Sequence, residues 1–264
     1  MKFLKVILGL LLIFSSLTAI KVSAEENENN RVNKEVLIYS KEEIKDIKEL
    51  RMRAKKGITD KEETPVENKS IFLKTDKDPK KQKNIKIDQY QTTQKLKAIK
   101  TEKGDTVTSY ATTIFLDVPE EIVVENENES EINNTFTAAA SRTDDKSDSS
   151  YSVRSYSTIY WDEKGSGTTK KFRLTSAKGG WTILDSQVSI SNRTVRLGQT
   201  YNVTPDYKPS GNTYSYTAPT SWPWLDYNCS ACFVGSTSEV TLKRGTSSWK
   251  HVFTNNRHGF PQTN

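Results

Sequence analysis

Residues 181–198 read WTILDSQVSISNRTVRLG, and the period within them is two. Val188 and Ile190 alternate with Gln187, Ser189 and Ser191, the pattern of a strand with one face in a core and the other in water. Ser191-Asn192 reads as a turn, because Asn tolerates a positive φ, and 194–197 as the next strand. The same texture continues on both sides. Candidate strands fall at 151–161, 169–177, 181–191, 194–197, 213–217, 239–243 and 249–254. Gly165-Ser166-Gly167, Gly179-Gly180, Pro209-Ser210-Gly211 and Gly245 separate them as turns. About seven short strands with no helical period predict an antiparallel β-sandwich over residues 150–256 in a mainly β protein. An immunoglobulin-like strand order is one option; alternation alone does not choose it.

Upstream, residues 90–118 predict a β-hairpin. Gln94, Leu96 and Ala98 share one side of a strand, Glu102-Lys103-Gly104-Asp105 is a turn, and Val107, Tyr110, Ile114 and Phe115 mark the return. A lone hairpin is barely stable, so it must dock on something. In the charged region 25–89, Ser40-Lys41-Glu42-Glu43 reads as a capping box. Ile44, Ile47, Leu50 and Ala54 then line one helix face, and Gly57 stops the helix. Residues 58–88 read as linker with one short strand at 70–73, so this part is expected to be loosely joined. The stretch 119–149 carries nine acidic and two basic side chains and reads as a disordered acidic linker, with a pro-region cleavage site expected near 140–142. Residues 257–264 form a tail.

Residues 1–24 carry the address. Lys2 and Lys5 precede an unbroken apolar run over 6–14, and Val22-Ser23-Ala24 supplies small residues for cleavage. That three-part pattern predicts a secretory signal peptide and a mature protein that is extracellular or held at the cell surface. Hydrophobic residues make up only 34% of the 264, too few for one continuous core or a polytopic membrane protein. The whole chain carries 39 basic and 33 acidic side chains, and residues 150–264 hold 13 and six of them. That +7 points to a polyanionic partner: a cell-wall polymer, a glycan or an anionic membrane surface. Nucleic acid is not expected, because no basic cluster in this part exceeds two residues.

No catalytic constellation converges, and no metal set or cofactor is implied. His251 and His258 are the two histidines, and neither sits in a recognisable motif. Cys229-Ser230-Ala231-Cys232 lies in a loop with no helix after it, so a structural disulfide is expected in place of a redox centre. Ser221-Trp222-Pro223-Trp224-Leu225-Asp226-Tyr227 is the binding candidate, since Pro keeps this stretch out of a regular ladder and leaves rings to stack on a sugar or insert at a membrane interface; the other use for one or both Trp is to plug the end of the sandwich. The expected binding set is Trp222, Trp224 and Tyr227 with the basic pair Lys243 and Arg244. The expectation is therefore a secreted, non-catalytic binder of an envelope glycan or anionic polymer. The alternative is an exported, toxin-like effector with an acidic pro-region, acting on membranes.

Overall fold

The computed structural model describes residues 35–61, 88–119 and 151–258. The expected signal peptide, the strand at 70–73 and the acidic linker at 119–149 lie outside them apart from Pro119, which ends a strand, and of the expected tail at 257–264 only Arg257 and His258 are described, both as the end of the last strand. Among the described residues the protein is mainly β, with two antiparallel sheets, of seven and four strands, one short α-helix and no closed barrel.

The strands are β1 (Val36–Ser40), β2 (Asp88–Lys100), β3 (Thr106–Pro119), β4 (Tyr151–Lys164), β5 (Lys171–Ile183), β6 (Val188–Gln199), β7 (Asn202–Val203), β8 (Thr213–Thr217), β9 (Leu225–Asp226), β10 (Phe233–Arg244) and β11 (Ser247–His258); α1 is Ile47–Lys55. The larger sheet runs β1-β2-β3-β4-β5-β8, with β9 also on β5; the smaller runs β11-β10-β6-β7. The hairpin at 90–118 is present as β2 and β3, and it does not stand apart. Strand β3 pairs with β4 from Val107↔Lys164 to Pro119↔Tyr151. One sheet thus joins the upstream hairpin to the C-terminal strands, and the main core draws on Ile114, Leu116 and Val118 as well as Trp161, Trp181, Leu197 and Leu242.

Two turn assignments differ from the structure for the same reason: a strand can absorb an irregular residue without ending. Gly179 and Gly180 lie inside β5, paired to both Ser157/Tyr156 and β8. A Cβ at Gly179 would overlap the Tyr156 carbonyl and the Tyr214 ring, so glycine here permits close packing. Ser191-Asn192 is a bulge within β6. Asn192 has φ 50°, and the register against β10 slips between Glu239 and Thr241.

The helix begins later than Ser40, which ends β1. Its N-cap is Asp46, whose side chain accepts from the Glu49 amide. Before it, the Gln94 side chain holds both backbone groups of Ile44, which satisfies them without a helical turn. Gly57 at φ 65° closes the far end as expected. The apolar stripe is used in full: Leu50 and Ala54, with Ile44 and Ile47, pack on Phe115, Tyr90 and Tyr156. On the same face Asp117, fully buried, joins Arg51 of α1 and Arg154 of β4, the latter at 3.0 Å. The N-terminal part is therefore docked on the larger sheet, not loosely joined to it.

The interior also holds polar groups that bridge the two sheets. Ser155 Oγ and His251 Nε2 are 2.7 Å apart, Ser157 and Ser236 share a hydrogen bond of 2.9 Å, and Asn255 donates to the carbonyls of Thr112 and Ser157. Ser155 and His251 resemble a nucleophile and its base, yet both are fully buried and Nδ1 has no partner to orient it. The pair is an inter-sheet contact. Burial lowers the His251 pKa from 6.5 to about 4, so the folded protein holds the ring neutral. The unfolded chain takes up that proton first as pH falls. This contribution to stability is whole above pH 6.5 and is lost progressively toward pH 4. The full loss is about 3 kcal/mol. Urea midpoints should fall across that window in the wild type, and less steeply in His251→Gln; equal slopes would contradict the assignment.

Candidate functional site: a cationic and aromatic end of the sheets

The residues expected to form one site are dispersed. Trp222 belongs to the core, with 9% of its surface exposed. Lys243 and Arg244 close β10 at the end away from Phe233, where the Trp222–Cys232 loop arrives. Ten residues of strand place them about 30 Å away. Arg244 is also committed locally, to Asp185 at 3.1 Å. The basic pair therefore does not serve the tryptophan loop. The Trp249 and His258 side chains lie outside the described ones.

Trp224 and Tyr227 do meet positive charge, supplied by other elements. The loop is sewn to the start of β5: Lys171 pairs with Asp226 and Phe172 with Leu225, and the Tyr227 amide donates to the Lys170 carbonyl at 2.9 Å. Asn228 Nδ2 donates to Thr168 O in the 3-10 turn Gly167–Thr169. The Cys229–Cys232 disulfide closes the following turn, where the Cys232 amide donates to the Cys229 carbonyl. These ties fix Trp224 and Tyr227 against β4 and β5.

The geometry around them is cations on rings. Lys164 Nζ lies 4.4 Å from the Trp224 centroid and Arg173 Cζ 4.5 Å from it. Lys170 Nζ lies 4.8 Å from the Tyr227 ring, and Arg257 donates to the Tyr227 hydroxyl at 2.9 Å. Deeper in, Trp161 stacks on Tyr110 at 4.6 Å, with Lys61 4.4 Å from the Tyr110 ring and Arg257 4.1 Å from the Trp161 ring. A cation over such a ring gains about 0.5–2 kcal/mol, more as water is excluded. Glu163 sits among them, 2.5 Å from Lys61 and 3.2 Å from Lys170. Asp162 takes Arg173 at 3.3 Å.

Electrostatics follow from that crowding. Burial lowers the Lys61 pKa, with Glu163 opposing it and Arg257 and Lys170 adding to it. Burial pushes the Glu163 carboxyl up, but Lys61 and Lys170 outweigh it and hold the group below the usual range. Tyr110 is pushed up to about 12 by burial and then by Glu163. The described cations here are Lys61, Lys164, Lys170, Lys171, Arg173 and Arg257, against Asp162, Glu163 and Asp226. Positive charge exceeds negative by three. The arrangement can draw an anion toward Lys164, Lys170 and Arg173, which are partly open, while the half-buried Trp224 and Tyr227 rings keep them in place.

Sequence reading missed Lys61, Trp161, Glu163, Lys164, Lys170, Arg173 and Arg257 as site residues. Lys170-Lys171-x-Arg173 beside the Gly165-Ser166-Gly167 turn was the available signal. Lys61 and Arg257 gave none, because only the sheet topology brings them together. Comparison with protein-family models, curated proteins and solved structures finds no match for this chain.

Proposed function

We propose that this is an exported, non-catalytic binding protein that holds an anionic envelope polymer at the cationic end of its sheets. The observation carrying it is the convergence of Lys164, Lys170 and Arg173 on the Trp224 and Tyr227 rings, with three more cations than carboxylates around them. Export rests on the Lys2 to Ala24 pattern and accords with the Cys229–Cys232 disulfide, which suits an oxidising compartment. We read the two facing sheets as a sandwich, a rigid frame on which cations from four segments of the chain are fixed. The aromatic residues act here chiefly through the cations they hold. That differs from the sugar-stacking role expected of Trp222, Trp224 and Tyr227.

The test is binding to polyvinyl sulfate as sodium chloride is raised. Affinity should fall about tenfold or more between 50 and 300 mM salt, because bound cations release counterions on the polymer. Lys170→Ala with Arg173→Ala should weaken binding and flatten the salt slope, while Lys243→Ala with Arg244→Ala should change neither. Equal losses in the two double variants would make the attraction a property of net charge alone and remove the site.

A further inference from the structure

The β6–β7 connection is strained in an unusual way. Gln199 pairs with Asn202, so Thr200 and Tyr201 alone make the turn. Thr200 has φ 48°, a conformation in which a β-branched residue is out of place and where a two-residue hairpin ordinarily uses glycine. Its side chain supplies the reason. Thr200 N donates to Phe233 O at 3.0 Å, and Phe233 N donates to Thr200 Oγ1 at 3.3 Å, which clamps the turn to the start of β10. The clamp holds out Tyr201, which is 97% exposed, and Val203 beside it is exposed too. Strain kept in a turn that presents a bare ring points to a use for the ring.

The turn borders the cationic end. Gln199 Nε2 donates to the Pro223 carbonyl, and the Leu174 amide donates to Gln199 Oε1 at 2.9 Å. Trp224 is the next residue after Pro223, so covalent reach puts the Tyr201 and Trp224 backbones within roughly 20 Å. The other rings there have their faces engaged: Trp224 by Lys164 and Arg173, Trp161 by Tyr110 and Arg257, Tyr227 by Lys170. Tyr201 offers an open π face and a hydroxyl at its tip, the combination that covers the apolar side of a sugar ring and bonds its hydroxyls.

We propose that Tyr201 stacks on a sugar ring of the bound polymer, so that the site selects anionic groups carried on a glycan over the same groups on a plain chain. This rests on the polyanion reading above. The test compares dextran sulfate, which has sugar rings, with polyvinyl sulfate, which has none, using the full chain. Tyr201→Ala should weaken dextran sulfate binding about fivefold to tenfold and leave polyvinyl sulfate within about twofold. Tyr201→Trp should restore the dextran sulfate affinity, and the thermal midpoint should not move. Equal loss on both polymers, or none on either, would overturn the sugar contact while leaving polyanion binding intact. A wild-type protein that binds neither polymer at low salt would overturn both.

Discussion

Residues 150–264 produced alone are expected to stay unfolded, with little amide dispersion by NMR and no cooperative melt. Without β3, the full length of β4 becomes an open edge, since β3 pairs along it from Lys164 to Tyr151. Tyr110, Ile114, Leu116 and Val118 leave the core. Trp161 loses the Thr112 hydroxyl to which its indole donates at 3.0 Å, and Asn255 loses the Thr112 carbonyl. Removing four large side chains exceeds any single truncation, which by itself costs about 2–5 kcal/mol, and the total stability of a domain is about 5–15 kcal/mol. Adding residues 35–119 in trans should restore the fold. A cooperative melt of the isolated fragment would contradict the account. The same result bears on the effector reading, which needs the C-terminal half to act after its upstream part is removed. A cut between 120 and 150 would leave a two-part molecule still held by the β3–β4 ladder and by Asp117.

Asp117→Ala is expected to cost about 3–5 kcal/mol in urea unfolding, the usual cost of breaking a buried ion pair from one side. Asp117 has no exposed surface, and it is the carboxylate that Arg51 and Arg154 share. Its removal leaves two guanidinium groups together under α1, with Leu50 and Ala54 packed close by. Replacing all three with apolar residues of similar size (Arg51→Met, Asp117→Leu, Arg154→Met) should cost much less, because the whole buried charge cluster goes together. If the triple variant is as unstable as Asp117→Ala, packing and not charge pairing holds the helix to the sheet.

Local period was legible in the sequence. The alternation at Val188 and Ile190, the Ile44 to Ala54 stripe, the hairpin turn at Gly104 and the span of β8 all follow from neighbouring residues. Pairing between distant segments was not. The linker between 119 and 151 hid the β3–β4 pairing, because acidic composition says nothing about whether its two ends meet. Gly179-Gly180 looked like a turn, since sequence does not show a Tyr214 ring arriving from β8. Trp222-Pro223-Trp224 correctly marked an irregular loop, yet burial of Trp222 and the cations on Trp224 depend on β4 and β5. Lys243 and Arg244 belong to the strand that starts beside the loop, but lie at its far end.

The most direct measurement is an NMR titration of the folded, isotope-labelled protein with dextran sulfate at low salt. Amide shifts should gather at Lys164, the 165–173 segment, Trp224 to Tyr227, Arg257 and the Thr200-Tyr201 turn, and should vanish as salt is raised. Shifts centred on Lys243 and Arg244, or spread evenly over every basic residue, would show that this end of the sheets is not the binding site.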